Sequence, residues 1–343
     1  ADLLTKGWAV TRACSGETAR ELVDDLHGDL AALGTGFDPS DRRTWTGGLP
    51  QMTHGLCQSQ GTGLWRSICK ARGFTKRVWE EEIFQDACIS SWDAFCYGKP
   101  SYQEWVAQHG GDPAVPEMSP WLHTDQSIAK PNMYEHVQAA LALTDLGPAE
   151  LRTQLVAPKE GETPQAFRDR FLAAFPPEAA SKKRSLDAER EEWISHTVEE
   201  KRWLLANGTP VSPTLQAGGM LLWASGMPHA SLAFPLPPGQ REHNTRISVF
   251  VSALPRSLLR PGELEFRRKL LEKGCTSGHR VCEPGKRPGT FRQCLFARTG
   301  RVYKTDGIAP TYALDHVLRD FARADASVDP VHAITAQFCG GYP

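Results

Sequence analysis

The sequence predicts an α+β protein with a mainly β core, and three observations carry that expectation. First, short apolar runs bounded by Gly and Pro recur at Cys88–Phe95, Met133–Asp145, Gly219–Ser225 and Thr245–Ser252, the pattern of strands. In the last of these, polar and apolar residues alternate, as a half-buried strand requires. Second, apolar residues at helical spacing collect toward the ends of the chain, in Ala19–Leu30, Leu64–Phe84, Gly262–Lys273 and Thr311–Ala324. Third, Ala149–Gly208 is dense in Glu, Lys, Arg and Ala. Within it, Leu186–Leu205 carries opposite charges at helical spacing around Trp193, Ile194, Val198, Trp203 and Leu204, which predicts a helical insertion between two strand-rich stretches.

Taken in order, Gly7–Arg12 reads as a short strand ahead of the first amphipathic helix. Gly36–Gly63, rich in Gly, Thr, Pro and Trp, reads as an ordered loop, and Ser101–Pro120 as a second loop leading into Trp121–Gln126. Gly147-Pro148 closes the Met133–Asp145 strand, a Pro-rich loop spans Phe234–Gly239, and Arg280–Arg301 is basic and loop-rich. The expected organisation is a single domain over 1–343. Residues 1–84 form a helical and strand buttress, 85–255 the core with insertion 149–208, and 256–343 a helical and basic extension. The charged insertion reads as an outer buttress, with a lid over the site as the second reading. No internal repeat is present.

The 343 residues are 40% hydrophobic and 23% charged with a net charge of -1, an ordinary globular composition. Near-neutral charge supplies no global field to recruit nucleic acid or an anionic membrane. No apolar run approaches the about 18 residues of a membrane span. The first residues lack the apolar core of a secretory signal, and a removed targeting segment stays open because the sequence does not begin with Met. Nine cysteines, an odd number without a CxxC pair, predict free thiols in an intracellular compartment, cytoplasmic or nuclear. Cys275, Cys282, Cys294 and His279 have no common zinc-finger spacing, and a monomer is expected.

Chemistry concentrates in Trp121-Leu122-His123-Thr124-Asp125-Gln126. In an extended segment alternate side chains leave on one face, so His123 and Asp125 project together. An imidazole and a carboxylate side by side are two parts of the two-His, one-carboxylate facial triad of non-haem Fe(II) sites. The third part is a distant histidine, and His229 stands just past a strand, where such a ligand is expected. Arg246, with Ser248 two residues later on the same face, forms a candidate carboxylate socket, because a buried guanidinium needs hydrogen-bonding partners and its planar fork matches a carboxylate. A second His-x-Asp, His27-Gly28-Asp29, lies in a helical pattern and is read as structural. Trp121 and Trp223 are read as core residues, and His136, His196, His243 and His279 as structural or surface.

In these segments the chain resembles the phytanoyl-CoA dioxygenase-like branch of the Fe(II)/2-oxoglutarate oxygenases. The resemblance rests on Trp121–Gln126, on Gly218–Trp223 through Pro228-His229, and on Arg246-Ile247-Ser248, in that order. It implies a double-stranded β-helix, the cupin-like jelly roll, with flanking helices. It also implies iron bound by His123, Asp125 and His229, and 2-oxoglutarate as cosubstrate with O2. Arg246 and Ser248 would hold the distal carboxylate, and Gln138 would line the cosubstrate site. The implied reaction is C–H oxidation with release of succinate and carbon dioxide. The chain departs from the family in lacking an evident Pro-Gly-Ser-His segment, whose place Leu155–Lys159 takes, and in its long insertion, so the prime substrate is not inherited. Two further classes are a non-catalytic jelly-roll binding module and a nucleic-acid-modifying oxygenase. The latter is raised by Arg280, Lys286, Arg287, Arg292, Arg298, Arg301 and Lys304 with Phe291, Phe296 and Tyr303 among them.

Overall fold

The computed structural model describes residues 2–32, 37–44, 71, 73, 77–90, 95–98, 121–127, 130–176, 194–232, 238, 244–259, 261–262 and 265. Strands are β1 (Trp8–Arg12), β2 (Cys88–Ser90), β3 (Phe95–Gly98), β4 (His123–Thr124), β5 (Val137–Ala142) and β6 (Arg152–Ala157), followed by β7 (Ile194–Ser195), β8 (Thr209–Val211), β9 (Gly219–Ala224), β10 (His229–Leu232) and β11 (Arg246–Pro255). Among the described residues the named α-helices are α1 (Asp2–Lys6), α2 (Gly16–Ala32), α3 (Pro164–Ala174) and α4 (Val198–Asn207). Two compact units divide the chain. One comprises Ala1–Arg12 with Gly98–Arg246, the other Ala13–Tyr97 with Ile247–Pro343.

In the first unit β9 lies antiparallel between β1 and β5, and a five-stranded sheet runs β7-β4-β10-β6-β8. The chain alternates between these sheets, from β4 to β5, back to β6 and β8, across to β9 and back to β10. That alternation is the winding of a double-stranded β-helix, and the protein is a mainly β jelly roll as expected. Within the second unit β11 pairs antiparallel with β2 and also pairs β3. His27 of α2 hydrogen-bonds Tyr97 at 2.9 Å, so the second His-x-Asp is structural at its histidine. Burial lowers the His27 pKa, which favours the neutral ring in that contact.

Several elements differ from expectation in extent. Ala149–Gly208 is not a helical excursion from its start, because Arg152–Ala157 is β6, paired along its length with β10 and β8. Opposite charges elsewhere in the segment masked this buried run, whose Arg152, Thr153 and Gln154 are polar yet stand in register with β10. Two helices do follow. α3 starts at Thr163, whose side chain accepts from the Ala166 N–H, with Pro164 at the first helical position, where a missing N–H costs nothing. α4 begins with a capping box between Thr197 and Glu200. The helix predicted over Thr311–Ala324 and the basic stretch Arg280–Lys304 lie outside the described residues, as does Gly262–Lys273 apart from Gly262 and Glu265. Cys14, Cys88 and Cys96 are free thiols, and the remaining cysteines also lie outside. Among the described residues no helix is long and apolar enough to cross a membrane.

The insertion helices cover the outer face of the five-stranded sheet. Alternation along each strand sends Leu122, Val156 and Ala230 outward, where Phe167 and Phe171 of α3 and Leu204 of α4 pack on them. Period-two geometry then turns His123, Leu155 and His229 the other way. Shortening Pro164–Glu200 should therefore abolish folding. Phe167→Ala, at a side chain 1% exposed, should cost about 3–5 kcal/mol. A lower urea midpoint at unchanged slope is the expected reading.

Candidate metal centre

His229 opens β10 and stands directly opposite His123 of β4 in the antiparallel register. Opposed residues of an antiparallel pair share a face, so the two imidazoles meet with ring centroids 4.4 Å apart. Asp125 lies in the bend immediately after β4. The ligand-capable atoms of His123, Asp125 and His229 all fall within 4.8 Å of one another, and all three residues are buried. The strand that was expected to carry His123 and Asp125 together is shorter than predicted, yet the bend keeps the carboxylate on the same side.

Each imidazole is oriented by the carbonyl two residues before it. His123 Nδ1 lies 2.8 Å from the Trp121 carbonyl oxygen, and His229 Nδ1 lies 3.0 Å from that of Met227. A carbonyl can only accept, so both Nδ1 atoms carry the proton and both Nε2 atoms turn a lone pair toward the carboxylate. His123 Nε2 is 3.6 Å from Asp125 Oδ1 and His229 Nε2 is 3.1 Å from Oδ2. Three electron-pair donors thus converge in a buried space. A proton can bridge one such pair, whereas a divalent metal ion satisfies all three together, and orientation of ligand imidazoles through their second nitrogen is the usual arrangement at metal sites. The donor set therefore fits a metal ion.

The carboxylate is held from the opposite sheet. Gln138 of β5 donates its Nε2 to Asp125 Oδ2 at 2.6 Å, so this residue, expected to line the cosubstrate site, contacts a candidate ligand directly. Trp223 stands beside Gln138 in the β5–β9 register, and its buried ring lies 5.2 Å from that of His229. Trp121, in contrast, is not a core residue. It is 39% exposed and its ring lies 4.6 Å from that of His123.

Arg246 begins β11 and is 1% exposed. Its guanidinium donates to Ser231 Oγ at 2.8 Å and to Thr153 Oγ1 at 3.2 Å. Ser231 and Thr153 are paired across β10 and β6, and Ser231 follows His229 by two residues on the same face. Two residues of strand are about 7 Å, so the guanidinium faces the interior a short molecule's length from the triad. Ser248 is buried as well.

Sequence reasoning missed Gln126. Its amide nitrogen donates to the carbonyl oxygen of Asn132, and its Oε1 accepts from Ser225 Oγ at 2.6 Å, tying the bend after β4 to the turn before β10. The motif drew attention to His123 and Asp125 while Gln126, next to Asp125, offered no metal-ligand signal. His196, read as structural or surface, is buried, with its Nε2 2.8 Å from Thr124 Oγ1.

No protein-family model and no curated protein matches the sequence. Among solved structures the chain is similar to EctD from S. alaskensis in its apoform, at 11% identity over 82% of this chain and 84% of that one with a TM-score of 0.41. HygX from Streptomyces hygroscopicus, solved with nickel and 2-oxoglutarate bound, is 10% identical over 74% and 84% of the two chains with a TM-score of 0.39. The non-heme alpha ketoglutarate dependent carbocyclase SnoK from nogalamycin biosynthesis is 13% identical over 73% and 80%, with a TM-score of 0.41.

Proposed function

We propose that this chain is an Fe(II)- and 2-oxoglutarate-dependent oxygenase of the phytanoyl-CoA dioxygenase-like type, oxidising a C–H bond with release of succinate and carbon dioxide. One observation carries the reading, namely the convergence of two Nε2 lone pairs and one carboxylate in a buried interior. His123, Asp125 and His229 would hold the iron. The bound metal supplies coordination positions for 2-oxoglutarate and O2 and the redox chemistry that activates O2.

The remaining tasks belong to the protein. Arg246 receives the distal carboxylate of 2-oxoglutarate through its planar fork, with Ser231 and Thr153 fixing the plane of the guanidinium and Ser248 assisting. A separation of about 7 Å along the strand suits a five-carbon dicarboxylate stretched between metal and arginine. Gln138 fixes the carboxylate of Asp125, so that the ligand oxygen keeps its direction when the cosubstrate enters. Trp223 and the apolar residues of β5 and β9 exclude water from the reacting face.

Asp125→Asn and His229→Ala should each lose high-affinity binding of Fe(II), followed anaerobically by calorimetry, and His123→Ala or Asp125→Ala should abolish iron-dependent succinate formation. Wild-type rates in the ligand variants would place the chemistry elsewhere. Arg246→Ala should retain metal binding while raising the 2-oxoglutarate KM about 10- to 100-fold, the loss of one or two charge-assisted hydrogen bonds. An unchanged KM would remove Arg246 from the cosubstrate site.

A further inference from the structure

Behind the metal strands, α3 sends a charged side chain into the protein. Arg168 is 4% exposed, and burial pushes its pKa down to about 10, so it remains a cation at neutral pH. Among the described residues its guanidinium has no carboxylate within ion-pair distance. It donates instead to three backbone carbonyls. Nε reaches the Lys130 oxygen at 3.2 Å, and Nη2 reaches the same oxygen at 2.6 Å and that of Ser127 at 3.0 Å. Nη1 reaches the Gly226 oxygen at 3.4 Å.

Those carbonyls belong to the two segments that carry candidate ligands. Ser127 follows Asp125 by two residues. Gly226 precedes Met227, whose carbonyl orients His229. Glu135 and Asp169 favour its charge only through space, outside ion-pair distance, and a buried charge hydrogen-bonded to neutral carbonyls alone costs stability compared with an apolar side chain of similar volume, so simple packing does not account for an arginine here. Its fork joins segments that have no strand pairing with each other at these residues. The neighbouring Gln165 of α3 adds to the grip, accepting from the Met133 N–H at 2.9 Å and donating to the Pro131 carbonyl at 2.8 Å. The turn has little slack, since a Cβ on Gly226 would meet Met133 Sδ at 2.6 Å and the Met133 carbonyl oxygen at 2.9 Å. On the far side of the same two segments Gln126 and Ser225 make a second tie.

We infer that Arg168 is a positioning residue for the metal centre, clamping the bend after Asp125 to the turn before His229, so that metal affinity depends on helix α3 of the insertion. This rests on the reading that His123, Asp125 and His229 bind a divalent metal. Arg168 touches neither metal nor substrate. It acts through the spacing of the ligands, which must be held to within a fraction of an ångström for three donors to bind one ion at full strength.

The test is an anaerobic Co(II) titration of the full chain, followed by the visible absorption of the bound ion, in wild type, Arg168→Lys and Arg168→Met. Unfolding midpoints are measured without metal alongside. Arg168→Met should raise the Co(II) Kd at least tenfold and shift the absorption bands, and Arg168→Lys, whose single ammonium reaches fewer carbonyls, should fall between the two. Coupling is reciprocal, so Co(II) added to wild type should slow amide hydrogen exchange in Pro164–Ala174 together with Ser127–Met133. A lowered midpoint with unchanged Co(II) affinity and spectrum would make Arg168 a plain structural brace and overturn the inference. If Arg168→Met does not fold, Arg168→Lys and the wild-type exchange decide, and unchanged exchange in Pro164–Ala174 overturns it as well. Failure of wild type itself to bind Co(II) would instead reject the metal centre, and this inference with it.

Discussion

The site depends on an unfavourable convergence. Two imidazole nitrogens and a carboxylate point their electron pairs into one buried space, at 3.1 and 3.6 Å from each other across Asp125. Left without positive charge, such an arrangement repels itself in a medium that screens poorly. It persists because each donor is held by something other than its neighbours. The two histidines are held locally, each by the carbonyl two residues before it. Asp125 is held from the facing sheet by Gln138. Satisfied Nδ1 protons and a pinned carboxylate leave a donor set that fits a divalent cation at the centre.

Strand periodicity then divides the surrounding protein into two environments. Residues on one parity of β4, β6 and β10 face the site, including His123, Thr153, His229 and Ser231. Residues on the other parity, Leu122, Val156 and Ala230, face α3 and α4. A slip of one residue in the β4–β10 register would exchange these sets, putting His229 among phenylalanines and an alanine at the metal. The apolar packing of the outer face is therefore also what fixes the register of the inner one. Core stability and ligand geometry are set by the same pairing.

This division explains what could be read from the sequence and what could not. The meeting of His123, Asp125 and His229 was legible because their residue types carry chemistry and their order along the chain matches a known arrangement. The strands of Gly219–Ala224 and Arg246–Pro255 were legible because apolar runs bounded by glycine or proline leave few alternatives. β6 was hidden inside Ala149–Gly208 because Arg152, Thr153 and Gln154 are polar yet buried, standing in register with β10 far away in sequence. Gln126 and Arg168 show the same limit from the side of the site, and Gln138 was named through the family resemblance alone, without its contact to Asp125. An amide or guanidinium that holds another residue in place has no spacing rule, since its partner is brought near only by the fold.

The position of α3 bears on what kind of segment the insertion is. A lid must be able to leave, and the parts of a protein that open are those with few buried contacts. Phe167 and Phe171 are instead part of the cluster that covers β4, β6 and β10, and Arg168 and Gln165 hold the backbone on either side of the ligands. Releasing α3 would expose that apolar face and undo the carbonyl contacts at once. Pro164–Ala174 is for these reasons a fixed wall on the outer face of the five-stranded sheet, behind the strands that bring His123 and His229 together.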